Sequence, residues 1–424
     1  MASPSWGMSR TPVERAEIQR RSLRVLTLGQ VVGAGALGAA VTIGGFVVED
    51  IVGVATPWVG LSTAAVTAGS GVMAQVLARV MALRGRRVGM QLGYALAASG
   101  GLVACAGVQI SSLTLFVCGL LLYGAGSATN LLARYAATDL AEPDQRSRAM
   151  GRILFAATFG AIFGPTLVGP AEALGQSAFG LEKYAGPWLL SSFFFVCAMV
   201  NVGVRLRPDP LAVWAEGNVA TVAARSIRVT GSLRVIATTP AARLALLSMV
   251  VAQAVMVGVM AMSPIEMKTH HHEAIIPFVV SAHMAGMFAF SPLVGRFADR
   301  FGRLVTMRNG AFVLVLAGCA GTVADNVTMM FVSMFTVGLG WALVFIGAST
   351  LLVDTVTSGD RVQVQGAADF VTAVSGGVAG ILCGFLLSWI GFSALALGSA
   401  CLSLLILLGV SGLRRREKAA VNTG

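Results

Sequence analysis

Apolar residues run almost end to end through this chain, in stretches of roughly 20, the length an α-helix needs to cross a ~30 Å hydrocarbon layer. Short breaks that are basic, or marked by Gly and Pro, separate them. The pattern predicts twelve membrane helices, at about 25–48, 55–80, 88–109, 112–137, 150–170, 187–206, 243–265, 275–298, 304–324, 327–352, 367–389 and 392–412. One connector is long and polar, with Pro208, Pro210, Glu216, Arg225, Arg228 and Arg234, and it divides the spans six and six. The expected organisation is an all-α membrane protein: a basic arm at 1–24, a six-helix half at 25–206, a linker at 207–242, a second six-helix half at 243–412 and a basic tail at 413–424.

Composition excludes a soluble protein. Of 424 residues 56% are apolar and only 12% charged, with a mean hydropathy of +0.80. A soluble domain of this size needs far more charge on its surface. The 51 glycines suit helices that pack backbone to backbone in lipid. No cleavable signal peptide is visible: Arg10, Arg15, Arg20, Arg21 and Arg24 precede a full-length apolar span. In this topology all of the 30 Lys and Arg except Lys183 and Lys268 fall on one side. Basic loops stay in the cytosol, so both termini are expected there, in the inner membrane of a bacterial cell. The net charge of +11 then reads as an asymmetry suited to anionic lipid head groups. Nucleic acid is not an expected partner, because no basic run accompanies a soluble domain or interleaved aromatics. The six Cys (105, 118, 197, 319, 383 and 401) stand singly in apolar spans without any C-x-x-C, so neither a disulfide nor a thiolate metal site is expected.

The halves repeat weakly, as transporter halves do. After the eighth span the chain reads Gly295-Arg-Phe-Ala-Asp299-Arg300-Phe-Gly302-Arg303. The matching loop after the second reads Ala78-Arg-Val-Met-Ala82-Leu-Arg84-Gly85-Arg86-Arg87. Physically, Gly295 permits close helix contact, Asp299 offers charge to a neighbouring helix end, and Arg300 and Arg303 hold the cytosolic side. Gly295 to Arg303 resembles the G-x-x-x-D-R-x-G-R signature of the major facilitator superfamily. That resemblance implies two six-helix halves and a loop that latches the outward-facing state. Ala78 and Ala82 replace the Gly and Asp of the first copy, so its latch is expected to be weak or absent. In the fifth span Gly151, Gly160, Gly164, Pro165 and Gly169 resemble the antiporter motif of drug/proton exchangers, with Val168 where that motif has a further Gly. The residues themselves fit a bend and a tight packing seam as well.

One cluster points to a cargo. All four His (270, 271, 272 and 283) lie within a short stretch, and seven of the 18 Met (249, 256, 260, 262, 267, 284 and 287) surround them. Met256 and Met260 share a face of the seventh helix at i, i+4, and His283 and Met287 share one of the eighth. The run His270-His271-His272 falls in the turn between, on the non-cytosolic side. Soft thioethers with imidazole select Cu(I) over Mg, Ca or Mn, while zinc more often recruits Cys or carboxylates. Met-x-x-x-Met followed by His-x-x-x-Met resembles the CcoA-like copper importers of the same superfamily. Carried over, Met256, Met260, His283 and Met287 are the implied metal ligands. His270, His271 and His272, with Met262 and Met267, are expected to capture the ion outside.

Other polar residues have smaller expected roles. Gln253 is placed to line the same cavity as Met256; Arg134 and Asp139 are expected to pair at the cytosolic rim; Asp354, Asp360 and Asp369 are expected to serve the cytosolic gate. No catalytic motif occurs, so no enzyme and no resident cofactor are expected. The expected function is secondary-active copper import for cytochrome c oxidase assembly, with copper chaperones as partners and a monomeric protein. The alternative is a drug/proton antiporter.

Overall fold

A computed structural model describes residues 11–52, 61–216, 229–272, 275–323, 325–356 and 361–422. They are helical almost throughout. In the first half these are α1 (Pro12–Val52), α2 (Leu61–Arg84), α3 (Arg86–Gln109), α4 (Leu113–Ala136), α5 (Arg146–Thr166), α6 (Val168–Phe179) and α7 (Ala185–Arg205). Two short helices, α8 (Pro210–Glu216) and α9 (Val229–Thr238), lie in the connector. The second half holds α10 (Pro240–Thr269), α11 (Ile276–Met284), a π-helical turn (Ala285–Ala289), α12 (Ser291–Phe301), α13 (Arg303–Gly321), α14 (Val327–Thr355) and α15 (Arg361–Asn422), which kinks at Gly391. Among the described residues eleven segments are long and apolar enough to cross a membrane. α5, where the fifth span was expected, is a 21-residue helix that opens on Arg146, Arg148 and Arg152 and packs along α1.

Local chemistry sets several ends. α1 starts at Pro12, well inside the expected arm 1–24, because Thr11-Pro-Val-Glu14 forms a capping box. The Thr11 amide donates to the Glu14 carboxylate at 2.8 Å, and the Glu14 amide donates to the Thr11 hydroxyl at 3.3 Å. Residues 12–24 of the basic arm are therefore helix. The tail from 413 likewise continues as helix to Asn422. Ser112 and Asn326 cap α4 and α14 through their side chains. α6 was not expected; it occupies the stretch between the fifth and sixth spans and stops at Gly180 in the left-handed region. The first ten residues, the linker centre at 217–228 with Arg225 and Arg228, and Asp360 lie outside the described residues.

Two apolar cores correspond to the two halves. One gathers Leu26, Tyr94, Tyr123, Trp188 and Phe195, with Tyr123 edge-on to Trp188 and Phe195 at 5.6 and 5.1 Å. The other gathers Met249, Met256, Leu314, Met334, Phe345 and Phe392. The repeat seen in the sequence is also present in the backbone. Gly85 enters α3 at φ 90°, ψ 166°, and Gly302 enters α13 at φ 92°, ψ 157°. These are conformations an L side chain resists, so glycine stands at both loops although most neighbouring residues differ. The halves meet where α5 packs on α12 and α2 packs on α15.

Candidate functional site

The buried centre of the second half is built on a close approach. Gly338 of α14 lies against the His283 carbonyl and the Met287 backbone, where a methyl group would overlap both. This seats the imidazole of His283, 0% exposed, against α14. Its Nδ1 faces the Met334 carbonyl at 2.9 Å. A carbonyl can only accept, so Nδ1 carries the proton and Nε2 presents its lone pair. That Nε2 is buried and has no partner among the described residues. Met256 and Met287 are buried in the same apolar cluster, which also holds Met330 and Met334; Met260 is partly buried at its edge. Met249 is turned away to the Ser349 hydroxyl, at 3.9 Å from its sulfur. The π-helical turn begins two residues after His283 and contains Met287, a form of helix that recurs at functional sites.

A second group of polar residues joins the halves. Arg134 of α4 pairs with Asp369 of α15, both fully buried, and also donates to the Tyr135 hydroxyl at 2.9 Å. Its guanidinium lies over the ring of Phe345, 4.5 Å from the centroid. Phe345 stacks on Trp341 at 4.4 Å, and the Trp341 indole donates to Gln253 of α10 at 2.9 Å. The expected Arg134–Asp139 pair does not form. Asp139 is taken by Arg86 at 2.8 Å, and Arg86 donates onward to Gln365 at 3.0 Å. Gln253 thus reaches α14 and the aromatic pair.

The signature loop makes contacts across the two halves. Asp299 accepts from the Ser147 and Arg148 amides at 3.1 and 2.8 Å, the free donors of the first turn of α5, and from Arg303 at 2.9 Å. Arg303 also pairs with Asp354, at 3.1 Å, and donates to the Pro143 carbonyl; Arg146 holds Asp354 at 2.5 Å from the other half. Arg300 is exposed over Phe301. Gly295 lies against the Ser147 carbonyl, and Gly151 against that of Ser291, so α5 and α12 touch backbone to backbone. The first copy, which lacks the Asp, also touches the other half. Ala78 packs on Gly366 of α15, and Arg86, at the position of Arg303 in the repeat, donates to Gln365 across the halves. These contacts close the bundle at its basic end.

The remaining motif residues have plain roles. Gly160 packs on Ala34 and Gly35 of α1, Gly164 is buried, and the Pro165 side chain is outside the described ones. Met262 and Met267 are buried, and His270, His271 and His272 form the turn after α10. Sequence reasoning missed Met334, Trp341, Phe345 and the Arg134–Asp369 pair. Only the last had a signal, since a charge inside an apolar span is functional by default.

Residues 244–423 match the family described as the Major Facilitator Superfamily. The chain is 26% identical to the riboflavin transporter RfnT of Brucella anthropi, over 90% of this chain and 95% of that one. Its fold is similar to the crystal structure of the human organic anion transporter MFSD10 (TETRAN), with a TM-score of 0.73 at 15% identity, covering 92% of this chain and 99% of that one. It is 31% identical to an uncharacterized MFS-type transporter, YddS, of Bacillus subtilis (strain 168), over 98% of this chain and 97% of the relative. Identity at that level over almost the entire length has one consequence: the chain belongs to the major facilitator superfamily and is a multi-pass membrane transporter, not an enzyme.

Proposed function

We propose that this transporter imports copper across the bacterial inner membrane and so supplies cytochrome c oxidase assembly. One observation carries the reading: a fully buried imidazole, His283, whose Nδ1 is committed to a carbonyl and whose Nε2 is left unpartnered in a methionine-rich core. A buried polar atom without a partner costs about 1–3 kcal/mol, and a soft metal ion is a partner that imidazole and thioether donors can share. A carbonyl fixing the other ring nitrogen is the usual arrangement for a metal-binding imidazole. Met256, Met260, His283 and Met287 are the proposed ligands. With positive residues inside, the closed end faces the cytosol, and transport requires the two halves to rock apart there. The test is accumulation of radioactive copper in cells with and without the protein. The parent raises copper content, and the His283→Leu variant does not. Equal accumulation by both would end the copper reading.

A second reading has its own support. Arg134, Phe345, Trp341 and Gln253 form a cationic and aromatic face between the halves, chemistry that suits a planar organic solute. RfnT, a relative over most of the chain, transports riboflavin. Riboflavin uptake measured in the same cells separates the two: it depends on Trp341 and Arg134 under this reading, and copper content stays constant. The glycines of α5 do not favour the antiporter alternative, because Gly151 and Gly160 are used in helix packing.

A further inference from the structure

At the far end of the second half lies a cluster that neither proposed cargo site uses. Glu266 and His270 stand at i, i+4 at the end of α10, and Asp325 reaches them from the turn between α13 and α14. His270 Nε2 is 3.4 Å from Glu266 Oε1 and 3.4 Å from Asp325 Oδ1. Both separations exceed an ordinary N–H···O hydrogen bond, ~2.7–3.2 Å. Both match the edge of a tetrahedron whose bonds to a central ion are ~2.0–2.1 Å long, since such an edge is roughly 3.3–3.4 Å. All three ligand atoms lie within 4.8 Å of one another.

The backbone helps to aim them. α10 ends with the His272 amide donating to the Met267 carbonyl at 2.9 Å, and His271 takes φ 59°. This is the left-handed closing turn usually given to glycine, and it directs the chain away from the end of α10, where Glu266 stands in the last helical turn and His270 follows directly after it. One face of the cluster is wet: the side chain of Asp325 is 74% exposed, that of His270 38% and that of Glu266 17%.

We propose that Glu266, His270 and Asp325 bind a divalent first-row transition-metal ion of borderline softness, zinc being the representative case. One imidazole and two carboxylates supply three ligands and two negative charges, and water completes the set, as in exchangeable three-ligand sites. The donors differ from those around His283, where thioether and imidazole suit a soft ion, so the two sites select different ions. Bound metal ties the α10 end to the α13–α14 turn and stiffens the outer face of the second half. The proposal does not depend on which cargo the transporter carries.

The experiment is zinc titration by calorimetry on the purified full chain in detergent, freed of metal with a chelator. One zinc ion binds the parent chain. Glu266→Gln, His270→Ala and Asp325→Asn each weaken binding by at least ~10-fold. His271→Ala and His283→Leu leave it unchanged, and magnesium does not compete. Zinc that fails to bind the parent overturns the proposal. Zinc that binds Asp325→Asn and Glu266→Gln as it binds the parent overturns it too, and assigns the ion to the three-His turn. Loss of binding only in His283→Leu places zinc in the core and overturns it equally. Copper uptake is not a readout here, so failure of the copper reading leaves this result intact.

Discussion

At the scale of single residues, the discriminating positions are buried ones. Met256→Ile keeps apolar bulk, so folding survives at a cost under ~1.5 kcal/mol while the sulfur is lost. Copper accumulation should fall to the background of cells lacking the protein, whereas Cys105→Ser should accumulate like the parent. Asp369→Asn makes a different point. It leaves Arg134 charged and uncompensated inside the bundle, which costs about 3–5 kcal/mol. Denaturation in detergent should show that loss, and adding Arg134→Gln should recover part of it, since the two positions act as one unit. Strict additivity of the two losses would mean that the pair carries no coupling. Neither partner could be matched to the other from sequence. Each was visible as a charge in an apolar span, but they lie on different halves, and Asp139 was the nearer acid in the chain. His283 was legible as a rare intramembrane imidazole; its Met334 carbonyl was not, because any residue supplies a carbonyl.

At the scale of elements, helix–helix contact without side chains makes a clear expectation. Gly151 and Gly295 sit reciprocally on carbonyls of the partnering helix. Gly295→Ala wedges α12 away from α5, which favours the state opened at the basic end. A Cys placed at Ser147, buried in the closed form, should then react faster with a maleimide applied to inside-out vesicles; unchanged labelling would show that the contact has slack. Asp299→Asn weakens the hold on the first turn of α5 by about 1 kcal/mol and should lower transport with expression near normal. Most spans were readable because lipid demands long unbroken apolar runs and because Gly and basic residues mark their ends. α6 was not, being short and only half apolar in pattern. The π-helical turn was not either, since the same residues serve an ordinary helix until α14 presses against them. The early start of α1 was there to be read in Thr11 and Glu14.

At the scale of the whole molecule, charge sidedness sets orientation. A reporter fused at Lys268 should lie outside the cytosol and one fused at the C-terminal end inside it; the opposite pattern for both would invert the topology. The closed end also has two layers that differ in wetness. Arg146–Asp354 and Arg303–Asp354 have side chains 12–26% exposed, whereas Arg134–Asp369 and Arg86–Asp139 are sealed from water. Dissolved ions weaken pairs that water can reach and hardly touch sealed ones. Salt raised on the basic side therefore loosens the outer layer while the inner one holds. Solute flux in vesicles should rise as potassium chloride on the basic side is raised, and the rise should disappear in Asp354→Asn.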